Sequence, residues 1–205
     1  MDMLHMAALA KSAAVKLGVQ SSQAKNAALS AIASALSARA EEIIAANRRD
    51  LAAAEQAGIA PAVLKRLNFG EAKLAEVRRG IESLIALPDP VGKTLQATEL
   101  DDGLELYQVS CPLGVIGMIF ESRPDALVQI STLCLKSGNA VLLKGGSEAR
   151  HTNQILAQVI AAAGQEAGMP CGWLQLLESR AEVSEMLQLD DYIDLIVPRG
   201  SNELV

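Results

Sequence analysis

Four short apolar runs constrain this chain more than any other feature: GVIGMIF (114–120), AVLLK (140–144), WLQLLE (173–178) and YIDLIVP (192–198). Helical segments lie between them, over 125–137, 148–167 and 181–188. Strands alternating with helices of this length predict right-handed βαβ crossovers and a parallel sheet. Ligands of such sheets bind beyond the carboxyl ends of the strands. Four polar loops fall there: Glu121-Ser122-Arg123-Pro124, Lys144-Gly145-Gly146-Ser147, Glu178-Ser179-Arg180 and Arg199-Gly200-Ser201. Their coincidence at one edge predicts a shared cleft.

Before residue 90 the pattern is helical throughout. An alanine-rich helix over 3–17 stops at Gly18, and Ser21 or Ser22 caps a second that runs on until Gly58. In that second helix Leu29, Ile32, Leu36, Ile43 and Ile44 recur at helical spacing and mark one buried face. Pro61 opens a short helix, and GEAKLAEVRRGIESLIAL makes another before Pro88 and Pro90 end it. No residue pattern in this region carries chemistry. ELDDGLELYQVSCPLG then reads as two strands about a turn at Asp102-Gly103. The expected organisation is a helical part over 1–98, a hairpin over 99–112 and βα units over 113–205.

The candidate loops each have two readings. Lys144-Gly145-Gly146-Ser147 is either a tight connection with Ser147 as helix N-cap, or an anion site. In the second reading the glycines admit a ligand to the backbone and Lys144 supplies the charge. It is not a Walker loop, because its lysine precedes the glycines. Arg123 either pairs with Glu121 or Asp125, or offers its planar fork to a carboxylate or phosphate. Arg199-Gly200-Ser201 follows a strand and opens toward a helix where a pyrophosphate could sit, but GxGxxG is absent.

Composition excludes several function classes. The chain has 24 acidic against 18 basic side chains and only 2% aromatics, so it lacks the charge and stacking surface of a nucleic-acid binder. Cys111, Cys134 and Cys171 form no CxxC pair or metal-like cluster, which predicts a reduced intracellular protein. Lys11 and Lys16 interrupt the N-terminal apolar residues, so that segment reads as an amphipathic helix rather than a signal peptide. No stretch approaches the ~18 apolar residues of a membrane span. The expected compartment is the cytoplasm.

SCPLGVIGMIFESRPDALVQISTLCLKSGNAVLLKGGSEA and LDDYIDLIVPRGSNELV together resemble the gamma-glutamyl phosphate reductase family, a branch of the aldehyde dehydrogenase superfamily. The resemblance covers essentially the whole chain. It implies an α/β, aldehyde-dehydrogenase-like fold: a helical N-terminal region, then a doubly wound, Rossmann-like parallel sheet. It also implies NADPH-dependent reduction of L-glutamate 5-phosphate to glutamate 5-semialdehyde in proline biosynthesis, with glutamate 5-kinase as a functional partner. By the same resemblance Lys144 approaches the adenosine ribose, where NADP carries its extra phosphate. Gly145, Gly146, Ser147 and Glu148 belong to that loop, and Arg199, Gly200 and Ser201 to the pyrophosphate-facing turn.

The typical superfamily asparagine two residues before the first-strand proline is replaced here by Ser122, so its oxyanion role does not carry over. Arg123 and Ser122 stand as candidate substrate contacts, with Arg123 meeting an anionic part of the substrate. Family members are about twice this length, and their nucleophilic cysteine lies in the second half. The expectation is therefore a chain truncated before the catalytic domain, with no catalytic residue, no metal and no activity by itself. The hairpin resembles the superfamily's oligomerisation element and implies a homo-oligomer. Two other readings stay open: a stand-alone, non-catalytic nucleotide-binding or subunit-association module, and an NAD(P)-dependent dehydrogenase of a free aldehyde.

Overall fold

The computed structural model describes residues 2–200. Helix α1 (Met3–Gly18) starts where the Asp2 carboxylate accepts the His5 N–H, and α2 (Ser22–Ala38) starts where the Ser21 hydroxyl accepts from Ala24. The long helix expected up to Gly58 is two helices. It breaks at Arg39, and α3 (Ala40–Gln56) follows. No glycine or proline marks the break. Arg39 departs from helical geometry (φ −105°, ψ 22°) and its guanidinium grips Glu42 one turn into α3, at 2.6 and 3.0 Å. Tertiary packing decides this: α2 packs on α5, α6 and α7, whereas α3 turns to meet α4 and α7. Helices α4 (Pro61–Leu67) and α5 (Glu71–Ala86) follow as the prolines and periodicity predict.

Strands β1 (Thr94–Asp101) and β2 (Leu104–Val109) pair antiparallel about the Asp102-Gly103 turn, so the first strand begins before the expected hairpin boundary. The βα region then runs β3 (Val115–Phe120), α6 (Pro124–Lys136), β4 (Ala140–Lys144), α7 (Arg150–Glu166), β5 (Leu174–Leu176), α8 (Arg180–Met186) and β6 (Leu195–Arg199). β6 starts later than its apolar run suggests, because the Tyr192 and Ile193 amides still bond back to Leu189. The four strands form one parallel sheet in the order β5-β4-β3-β6.

This order fixes the layers. Stepping from β3 to β4 to β5 with right-handed crossovers puts α6 and α7 on one face, and returning to β6 puts α8 on the other, where it meets α1. β3 and β4 are thus covered on both sides, and Val141, Leu142 and Leu143 are fully buried. The strand order reverses between β3 and β6, which is where doubly wound sheets open a crevice. No helix among the described residues is long and apolar enough to cross a membrane.

Asp194 ties three elements together. Its carboxylate accepts from Lys11 Nζ of α1 at 2.7 Å and from the Val115 amide of β3 at 2.8 Å, and its own amide donates to the Val115 carbonyl. Gly114 (φ +123°) sits under this carboxylate, where a Cβ would come within 2.1 Å of Oδ2. Burial opposes ionisation of Asp194, but the Lys11 and Val115 hydrogen bonds outweigh it and hold the carboxyl below its usual range. A depressed carboxyl stabilises the fold above its unfolded pKa, and that contribution is lost as pH falls through the folded value. Asp194→Asn is therefore expected to cost about 1 kcal/mol at neutral pH. The deficit in urea unfolding should shrink toward zero as the medium is acidified below the carboxylate range.

Candidate functional site

The loops after β3, β4 and β5 enclose a cleft of about 870 Å³ lined by Ser122, Lys144, Gly145, Gly146, Ser147, Glu148, Glu178 and Arg180, among others. A smaller recess of about 330 Å³ adjoins it on the β5 side, sharing Lys144 to Ser147 and adding Arg150, Asn153 and Leu177. Three of the four loops singled out in the sequence thus converge. Arg199 closes β6 beside Phe120 at the end of β3, with Gly200 after it in a bend. Neither lines the cleft, and Ser201 lies outside the described residues.

Lys144 ends β4 half-buried and donates to the Gly145 carbonyl at 2.6 Å. Burial pulls its pKa below the usual lysine range, Glu148 opposes that pull, and the charge of Arg180 adds to it. The glycines that follow lie close against other side chains. A Cβ on Gly145 would fall 2.2 Å from Asn153 Nδ2, and one on Gly146 would fall 2.2 Å from a Glu148 carboxylate oxygen. The space that the sequence assigned to an approaching ligand is thus partly filled by the chain's own side chains. Asn153, 3% exposed, has no donor for its Oδ1 among the described residues.

Ser147 begins a short 3₁₀ turn (Ser147–Ala149) and makes no side-chain cap bond. The α7 N-terminus is capped instead from α3, by a residue that no local pattern singles out. The Asp50 carboxylate, 3% exposed, accepts the His151 and Thr152 amides at 3.1 and 2.8 Å and the Thr152 hydroxyl at 2.6 Å. His151 Nδ1 lies 2.7 Å from the same carboxylate, which can only accept, so the contact places the ring proton on Nδ1. Asn47 extends the network: its amide donates to the Leu67 carbonyl and Thr152 Oγ1, and its oxygen accepts from Phe69. Period-3.6 reading treats Asn47 and Asp50 as polar interruptions of an amphipathic helix; only their partners on distant segments reveal the role.

Ser122 and Arg123 take different directions. Ser122 is buried with φ +24°, and both its amide (2.9 Å) and its hydroxyl contact Glu148 Oε1. Arg123 is part-exposed, pairs with Asp125 at 3.1 Å and does not line the cleft. Glu178 faces Arg150 at 2.9 Å and Gln154 at 2.7 Å; these contacts, led by the Gln154 hydrogen bond, hold its carboxyl below the usual range. Cys134 is buried in α6 and its thiol is pushed up to about 12 by desolvation, which makes it inert. Cys111 and Cys171 are exposed, and no group suited to a metal ion occurs among the described residues.

The whole chain, residues 1–205, matches the model of the aldehyde dehydrogenase family. The chain belongs to that family. It is 62% identical, over all of its 205 residues, to the gamma-glutamyl phosphate reductase of Pelotomaculum thermopropionicum, covering 47% of that protein. The solved gamma-glutamyl phosphate reductase of Thermotoga maritima superposes on the whole chain with a TM-score of 0.95 at 35% identity, half of that structure being covered. The Saccharomyces cerevisiae reductase superposes with a TM-score of 0.93 at 44% identity, 52% being covered. The chain spans about half the length of the curated relatives it matches.

Members of the aldehyde dehydrogenase family use NAD(P), and the cleft suits such a group. It is long and open, a half-buried lysine faces it, and an orphaned acceptor, Asn153 Oδ1, lies in the wall of its recess. In this aldehyde dehydrogenase segment the geometry of the Lys144 loop rests on Asp50. Asp50→Ala would leave the Thr152 amide and the Thr152 hydroxyl proton without an acceptor in the interior, at about 2–4 kcal/mol. The expected readout is a urea midpoint lowered in proportion, with faster amide exchange at His151 and Thr152.

Proposed function

We propose that this chain is the cofactor-binding half of a gamma-glutamyl phosphate reductase acting in the cytoplasm. The whole protein reduces L-glutamate 5-phosphate to glutamate 5-semialdehyde and inorganic phosphate, with NADPH as the source of hydride. The observation that carries this reading is the joint one of 62% identity along the chain and Lys144 set at the carboxyl edge of the sheet. Lys144, with the backbone of Gly145, Gly146 and Ser147, would hold the phosphorylated ribose, while Asp50 keeps the loop in place. Leu176 and Leu177 in the recess offer apolar contact to a base. Arg199, Gly200 and Ser201 would receive the pyrophosphate.

The residues present here bind and orient; the bond-breaking chemistry belongs to the other half of the protein. Loss of phosphate from the acyl phosphate needs a nucleophile, and Cys134 is unsuited because burial keeps its thiol protonated. Arg123, held by Asp125, would have to exchange that partner for an anionic substrate group before it could contribute. The proposal includes a homo-oligomer built through the β1–β2 hairpin. That hairpin exposes Leu95, Leu104, Leu106 and Tyr107 on a two-stranded ribbon, which has little stability without a covering surface.

Two measurements on the full-length protein test the reading. NADP-linked oxidation of glutamate 5-semialdehyde should require inorganic phosphate; oxidation without phosphate would instead make the protein a dehydrogenase of the free aldehyde. Replacement of Lys144 by alanine should weaken NADPH binding by roughly one to two orders of magnitude, as loss of a charge-assisted hydrogen bond does. NADH binding should change far less.

A further inference from the structure

Asp125 lies in the first turn of α6 and is 4% exposed, so its carboxylate is a buried charge that needs a partner. Two cations reach it, and both approach the same oxygen. The Arg123 guanidinium meets Oδ2 at 3.1 Å, and Lys73 Nζ, from α5, lies 4.0 Å from it. The two are unequally engaged. Arg123 is hydrogen-bonded, whereas Lys73 stands further out and makes its short contact with Glu76, at 2.7 Å. Glu76 is exposed, so that second contact is a solvated one of little worth.

Arg123 is placed to leave Asp125. Its backbone is pinned on both sides, by buried Ser122 bonded to Glu148 and by the Pro124 ring that opens α6, so the freedom lies in the side chain. That side chain is 44% exposed. It follows β3, whose other neighbour is β6, where the strand order reverses and doubly wound sheets take their ligands. Ser122 lines the cofactor cleft and Arg123 does not, which puts the guanidinium outside that volume. An arginine that turned from Asp125 to a ligand would strand a buried carboxylate, a costly state unless another cation took over. Among the described residues Lys73 is the other cation within 4.0 Å of that carboxylate, on a flexible four-carbon stem.

We propose that Asp125 and Lys73 form a counter-charge exchange that lets Arg123 bind an anionic group of the substrate: Asp125 holds the guanidinium until substrate arrives, and Lys73 then closes on Asp125 in its place. Asp125 and Lys73 are positioning residues, since they act through Arg123. The inference rests on the reading of Arg123 as a substrate contact. It accounts for a second cation kept beside a carboxylate that one arginine already satisfies.

Phosphate-dependent oxidation of glutamate 5-semialdehyde by the full-length protein tests this, with KM measured for the aldehyde and for inorganic phosphate. Asp125→Asn keeps the shape of the side chain and removes the competing charge, so it should lower one of the two KM values roughly two- to fivefold. Lys73→Met removes the replacement cation and should raise the same KM roughly three- to tenfold, with kcat changed less than about twofold. Lys73→Arg should behave as the wild type does. On the Asp125→Asn background Lys73→Met should have no effect, because no buried charge is left to neutralise. The KM that moves tells whether Arg123 meets the carboxylate or the phosphate. Shifts in the same direction for the two single variants, as plain loss of structure would give, overturn the proposal. So does a Lys73→Met effect that survives on the Asp125→Asn background. Arg123→Ala separates the two levels. If it leaves both KM values unchanged, the reading of Arg123 falls and the proposal with it. If it raises one KM roughly tenfold or more while Asp125→Asn leaves that KM unmoved, only the exchange falls.

Discussion

The buried Asp50 carboxylate holds the N-terminus of α7, and the candidate site depends on that contact. α7 follows directly from the Lys144-Gly145-Gly146-Ser147 loop, so whatever fixes its first turn fixes the loop. An N-terminal turn left open would draw an anion by its dipole and its free amides. Here a carboxylate from α3 already satisfies those amides, and Thr152 and Asn47 pass the restraint on to the α4–α5 connection. The helical N-terminal region therefore does more than cover the sheet. It presets the backbone on which the cleft is built.

With the α7 amides consumed, the electrostatics of the cleft rest on side chains. Acidic side chains of its wall are engaged before any ligand arrives, Glu148 by Ser122 and Glu178 by Arg150. Among the described residues Lys144 donates to the neighbouring carbonyl alone, and its ammonium is already disfavoured by burial. A phosphate would relieve that penalty, since an opposite charge nearby favours the protonated form.

Much of this was legible in the chain itself. Short apolar runs between helix-length segments give the parallel sheet, because a strand covered on both faces needs little but aliphatic side chains. The β4 run AVLLK matches its strand residue for residue, and the Asp102-Gly103 turn sits where its chemistry demands. The break at Arg39 was not legible. Alanine, serine and arginine all suit a helix interior, and the two helices differ in partners brought by the fold, α5 and α6 for α2 and α4 for α3. Asp50 and Asn47 escaped for the same reason. A polar residue on a helix looks solvated until the fold places a partner against it.

The sequence by itself determined the strand and helix order, the family and the loops that meet at one edge of the sheet. These follow from local periodicity and from motifs that lie within a few residues of each other. Only the tertiary structure decided how the loop residues are used. It turned Glu148 onto Ser122, paired Arg123 with Asp125, filled the space beside the two glycines and left Lys144 facing the cleft. The physical reason is that hydrogen bonds and like-charge repulsion act through distances that chain order does not encode, between loops whose proximity exists only once the sheet has formed.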